Sequence, residues 1–393
     1  MDKLYDVIII GSGVVGNAIA REMSRYNLKI GVLEKELDVC NETSARNSGV
    51  LHAGFNNKPG TLMAKFCVEG NQGFDQVAKE LGVPFKRCGK LVVGFSEEDI
   101  EKLIAMKEQG EKNGVKGLEI IGKDKIKEIE PNIDGEFAMW SKTTGILNPF
   151  LLTIALAENA AANGAEYYFG NEVIDIKRVD DIYNIKTVKD TYKTRWVVNA
   201  AGLYSDKVSK MLGIDDYTIH PCRGEYFILD EKVGSKLSLP AYPVPNPKEG
   251  GLGIHLTPTI DGNVFIGPSS EYIDERDDYS ATQKIMDLLI KDGGRIFPHI
   301  RREEFIRNFA GIRPKLATKE EGGSHDFVIE MRDKSPNTIN LVGIESPGLT
   351  SSTPIAKYVV SLLKQKEELT ENENFNPIRK PIVTFNDKSV EEK

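Results

Sequence analysis

The apolar positions change period along the chain, and each change marks an element. Residues 7–10 form a continuous apolar run, the pattern of a parallel strand buried on both faces. Gly11-Ser12-Gly13-Val14-Val15-Gly16 follows, and from it Val14, Val15, Ala18, Ile19 and Met23 recur at helical spacing. A second strand, KIGVLEK, closes on Glu34 and Lys35. TRWVVNAAGLYSD (194–206) is another buried strand that breaks at Ala200-Ala201-Gly202, where small residues let a backbone approach a flat ligand. Near the C-terminus, NLVGIESPGLTSSTPIAKYVVSLLK is again strand, glycine and helix, with Ser352 or Thr353 suited to cap the helix and Pro354 to its first turn. Between these units, CGKLVVGFSEEDIEKLIAMKEQGEKNG reads as a strand and a charged amphipathic helix. GEYFILD, HLTPTI and NVFIGP read as strands, with Asp261-Gly262 as a hairpin turn. There is no internal repeat.

Strand, G-x-G-x-x-G and helix in that order form a dinucleotide-binding fingerprint, and each glycine has a task. Gly11 permits the tight turn, Gly13 lets the backbone approach a pyrophosphate, and Gly16 lets helix and strand pack closely. The helix N-terminus turns free N–H groups and a positive dipole end toward the phosphates. Glu34, at the end of the second strand, suits the ribose hydroxyls of an adenosine.

Bulk properties narrow the function further. The 393 residues are 40% hydrophobic and 28% charged, enough for a sizeable core and more than one domain. A net charge of -8 and a pI near 5.4, with no basic stripe, argue against nucleic-acid binding. No segment has the apolar length of a membrane span, and the acidic N-terminus is unlike a signal peptide. The expected location is the cytoplasm, with peripheral membrane contact left open. Cys40, Cys67, Cys88 and Cys222 form no C-x-x-C pair, so a metal site is not expected.

The fingerprint alone leaves NAD and FAD open, but a dinucleotide gripped by both ends of the chain is the habit of flavoproteins. The stretches SARNSGVLHAGFNNKPGTLMAKFCVEGN, AGLYSDKVS, YPVPNPKEGGLGIHLTPTIDGNVFIGP, AGIRPK and GIESPGLTSS carry a more specific signal. Through them the chain resembles, over residues 4–365, the FAD-dependent oxidoreductases of the D-amino-acid-oxidase-like superfamily. Within it the resemblance is to L-2-hydroxyglutarate dehydrogenases or oxidases and to glycerol-3-phosphate oxidases or dehydrogenases. The resemblance implies an α/β chain (α+β overall): a Rossmann-type FAD-binding domain with a parallel sheet, roofed by a substrate domain with a mainly antiparallel sheet. The FAD domain is expected at 1–84, 146–216 and 305–369, the substrate domain at 85–145 and 217–304, and a tail at 370–393. The tail is charged and should lie over the surface or be partly disordered.

It also implies a site. Thr43, Ser44, Arg46, Asn47 and Ser48 match the loop that wraps FAD, and Ser48, Gly49 and His52 match the part that passes the flavin ring. Val173, Gly348, Leu349, Thr350 and Ser351 complete the expected cofactor contacts. A helix N-terminus at Gly348 would favour negative charge on the reduced ring. His52 falls on the family's active-site histidine, and a neutral imidazole can accept an alcohol proton. Arg313 offers a guanidinium to a carboxylate or a phosphate alike. Leu252 stands where phosphate-binding relatives tend to carry lysine, while His255 matches the hydroxyglutarate group; Lys248 is a nearby cation. The expectation is oxidation of a small anionic secondary alcohol by hydride transfer to flavin N5, with L-2-hydroxyglutarate first, glycerol 3-phosphate second, and an amine or amino-acid oxidase or a non-catalytic flavin-binding protein behind both. The electron acceptor, oxygen, a quinone or a partner protein, is left open.

Overall fold

The computed structural model describes residues 3–245, 253–380 and 388–392. Two large sheets organise the chain. In the first, Leu4–Ile10 lies between Thr191–Asn199 and Ile30–Leu33, all parallel, and Ser335–Val342 adds a further parallel strand beside Thr191–Asn199. The uninterrupted apolar run of the first strand now has its reason. Val7 and Ile9 point into a core shared with four helices, Val14–Met23, Leu62–Leu81, Pro149–Ala162 and Gly348–Leu363. Ile8 and Ile10 point the other way, onto Val208 and Leu212. With both faces covered, no position on the strand is left for a polar residue.

The second sheet is mainly antiparallel. Its central order is Val264–Gly267, His255–Pro258, Ala241–Pro243, Lys90–Gly94, Phe137–Ser141, Leu118–Gly122; only Ala241–Pro243 and Lys90–Gly94 run parallel. The hairpin over Asp261-Gly262 forms as expected, with Gly262 at a φ of 94°. One face of this sheet sends Leu91, Val93, Ala241 and Leu256 into a second core, and alternation sends Val92 and Tyr242 to the opposite face, against Ala53 and Phe55.

Two expectations change. Phe305–Lys315, placed with the cofactor domain in the sequence, hydrogen-bonds along its length to His220–Leu229 and so belongs to the roofing sheet. Its Pro314 and alternating polar residues suit an antiparallel edge better than a buried parallel strand. The last helix starts at Gly348, so Pro354 lies inside it rather than in its first turn. Proline leaves the Thr350 carbonyl without its helical N–H. There the helix Leu62–Leu81 crosses so closely that a Cβ on Gly70 would stand 2.0 Å from that oxygen. The described part of the tail runs over the surface, where Asn372 N–H donates to the Arg25 carbonyl and Arg379 N–H to that of Glu80. Among the described residues, no helix is long and apolar enough to cross a membrane.

Candidate active site

A cavity of about 1070 Å³ runs between the sheets, from Glu34, Lys35 and Val173 at one end, past Gly11, Gly13 and Ser44, to His52, Tyr226 and Arg313 at the other. Its first end is built from the fingerprint. Gly11 has a φ of 104°, and a Cβ there would stand 2.5 Å from the Ala200 carbonyl oxygen. Gly16 is tighter still, its Cβ position 2.0 Å from the oxygen of Gly11. Strand, turn and helix can therefore meet only without side chains. The Glu34 carboxylate is buried and receives N–H groups from Ser12 at 2.7 Å and Glu36 at 2.9 Å. Burial raises its pKa, and those two N–H groups act against the rise. Lys35 bonds to Glu36 and Glu42 at the rim.

The loop after the second strand closes the middle. Thr43–Ala45 make a turn of 3-10 helix, and the Ser44 hydroxyl accepts the Val14 N–H at 2.9 Å, so it caps the fingerprint helix where Gly13 cannot. Thr43 donates to the Ile312 carbonyl, tying the loop to the roof. Asn47 bonds to the Ser44 carbonyl and to the Gly49 N–H, Arg46 packs on the Tyr279 ring, and the Ser48 hydroxyl faces the phenols of Tyr226 and Tyr242. Ala200, Ala201, Gly202, Gly348 and Leu349 also reach the wall.

Ser12, Gly16, Gly49, Thr350 and Ser351 do not line the cavity; they stand behind its wall. Gly49 has a φ of 64° and packs against the Leu147 carbonyl. Thr350 holds the loop instead: its Oγ1 accepts the His52 N–H at 3.0 Å. The His52 carbonyl accepts from Asn71 at 3.0 Å. His52 is thus fixed through its backbone, and it lines the cavity. Burial, with a smaller push from the Lys90 charge, lowers its pKa to about 3, so the imidazole is neutral around pH 7.

The other two candidates differ. Arg313 is clamped by carbonyls, Nε to Cys222 at 3.3 Å and Nη2 to Arg223 at 3.3 Å and Ser269 at 2.8 Å. Among the described residues, Nη1 makes no such bond. Gly224 makes room for the guanidinium, since a Cβ there would stand 3.1 Å from Nη2. His255 was expected to help grip the acid, and its geometry is otherwise. Nδ1 bonds to the Gly253 carbonyl at 2.9 Å, Nε2 is sealed without a partner, and the ring stacks on Tyr242 at 3.7 Å. A carbonyl only accepts, so Nδ1 carries the proton and no N–H of His255 is free for substrate. Leu252 and Lys248 lie outside the described residues. The residues that sequence reasoning missed are Tyr226, Tyr242 and Lys90. A lysine opening an otherwise apolar strand was the available signal for the last.

A glycine cradle at a helix N-terminus and a strand-end carboxylate are the marks of a dinucleotide-binding protein. The comparisons agree: the chain belongs to the FAD dependent oxidoreductase family, whose model matches residues 6–362. It is 42% identical to a glycerol 3-phosphate dehydrogenase of Caloramator mitchellensis, over 99% of this chain and 80% of the relative. It is 30% identical to a mitochondrial L-2-hydroxyglutarate dehydrogenase of Nematostella vectensis, over 90% of this chain and 89% of the relative. Among solved structures, L-alpha-glycerophosphate oxidase of Mycoplasma pneumoniae, with FAD bound, superposes with a TM-score of 0.89 at 29% identity, covering 96% and 98% of the two chains. FAD is therefore the cofactor, and the fingerprint glycines Gly11 and Gly13 line the cavity.

Proposed function

We propose that the protein oxidises the secondary alcohol of glycerol 3-phosphate. The observation that carries this reading is the 42% identity to a glycerol 3-phosphate dehydrogenase across nearly the whole chain, against 30% to an L-2-hydroxyglutarate dehydrogenase. It reverses the substrate order expected from Leu252 and His255.

When bound, FAD supplies the hydride acceptor. His52 takes the hydroxyl proton, since its imidazole is neutral around pH 7 and one ring nitrogen then offers a lone pair at the cavity wall. Arg313 holds the phosphate through Nη1, with the rest of its guanidinium immobilised by three carbonyls. Fixing the anion in this way orients the carbon–hydrogen bond, and orientation supplies much of the rate. The Ser44, Gly13 and Glu34 positions hold the cofactor.

Two measurements test the reading. Anaerobic bleaching of the flavin should give a kcat/KM for sn-glycerol 3-phosphate at least tenfold above that for L-2-hydroxyglutarate, about 1.4 kcal/mol of transition-state binding. The opposite ratio would restore the hydroxy acid as substrate. Arg313→Lys should lower kcat/KM by roughly 10- to 100-fold, through both kcat and KM, because a lysine cannot keep the carbonyl clamp and the anion contact together. An unchanged kcat/KM would remove Arg313 from the anion site.

A further inference from the structure

Lys90 is the one lysine among the largest fully buried side chains, and its Nζ has no hydrogen-bond partner. It opens the strand Lys90–Gly94 on the same sheet face as Tyr242 and His255, the face opposite Leu91, Ala241 and Leu256. The three side chains form a row. Nζ lies 3.4 Å from the centre of the Tyr242 ring, and the His255 ring stacks on Tyr242 at 3.7 Å with planes 10° apart. Ammonium and imidazole cannot share one ring face at those distances, so Tyr242 is held between them. Nζ also lies 5.0 Å from the Phe55 ring centre. Aromatic faces favour a cation, but they offer no acceptor for its three N–H groups. A buried unpaired ammonium costs stability, and a methionine would fill the same volume without that cost. Lys90 does not line the cavity, so it does not touch the substrate.

We propose that Lys90 is a positioning residue for the oxidation: it holds the Tyr242–His255 stack in place, and the presence or absence of its charge sets the proton affinity of His52. This rests on the role assigned to His52 above. The groups around it are few. Cys67, on the helix Leu62–Leu81, is kept protonated by burial, and Tyr242 likewise stays a neutral phenol. The charge of Lys90 disfavours protonation of both His52 and His255, and Arg313 acts on His255 as well. Burial lowers the pKa of Lys90 itself to about 7, with Cys67 opposing. Below that pH Lys90 is charged and His52 is a weak base. Above it the charge is gone and His52 binds a proton more tightly.

The flavin-loaded enzyme tests this with two readouts. In anaerobic stopped flow with sn-glycerol 3-phosphate, the wild-type reduction rate should rise roughly threefold through pH 7, as loss of the Lys90 charge strengthens His52 as a base. Lys90→Met should keep its flavin, melt no lower than the wild type and lose that step. Lys90→Arg, charged at every pH, should remain at the low-pH rate. Separately, NMR of ε-carbon-labelled lysine should find one lysine titrating near pH 7 in the wild type and none in Lys90→Met. A step that persists in Lys90→Met, or no lysine titrating near pH 7, would overturn the proposal. The NMR result needs no substrate. If glycerol 3-phosphate fails to bleach the flavin while the titration is present, the substrate reading falls and the rate series is run with L-2-hydroxyglutarate. Flat rates there would also overturn the role of Lys90.

Discussion

Replacing His52 with alanine is expected to slow flavin reduction by roughly 10²–10⁴-fold, the scale of a lost general base, while the protein stays yellow. The separation of the two effects follows from how the residue is held. Thr350 and Asn71 bind only the backbone of His52, and both bonds survive the substitution. The described hydrogen bonds of His52 all run through its backbone, so removal of the imidazole orphans none of those partners. Stopped-flow bleaching at saturating substrate measures the rate, and the visible spectrum measures the flavin. Below the roughly threefold step through pH 7 assigned to Lys90, the wild-type enzyme should lose no further activity on the acid side until well below about pH 5. The reason is that the His52 pKa is lowered to about 3, so its proton-accepting form persists far below the usual histidine range. An unchanged reduction rate in the alanine variant would mean that another group takes the proton. His255, with its sealed Nε2, would then have to become accessible on binding.

Gly16→Ala is expected to give protein that does not retain FAD and is destabilised by about 3 kcal/mol, at the upper end for overpacking. The added Cβ would sit 2.0 Å from the carbonyl oxygen of Gly11, so helix and strand must separate. That movement reaches the cofactor cradle directly, because Gly11 is itself wedged against the backbone of Ala200. Gly13→Ala provides the comparison. Its Cβ would meet only the Ser44 hydroxyl, at 3.0 Å, which can give way by a small rotation. Flavin content after gel filtration and a denaturant melt should rank the two variants in that order. A yellow Gly16→Ala protein of wild-type stability would show that the close approach is dispensable.

Much of this was written in local pattern. A strand buried on both faces needs an unbroken apolar run, and residues 7–10 supply one; a helix that must touch its strand needs glycine, and Gly16 is there. The loop from Thr43 to His52 was legible because its polar and glycine-rich composition is out of place in a mere connection. These features depend on neighbours in sequence, so the sequence by itself determined the fold class, the dinucleotide cradle and the position of His52. What it could not decide was whatever depends on which strand lies beside which. Phe305–Lys315 joins the roof because its partner is His220–Leu229, a pairing between segments far apart in the chain. Thr350 turned from cofactor contact to clamp because the last helix begins at Gly348 and brings its hydroxyl under His52. His255 and Lys90 are set by the same physics. Their strands flank that of Tyr242, and only this adjacency seals their nitrogens on the two faces of one ring.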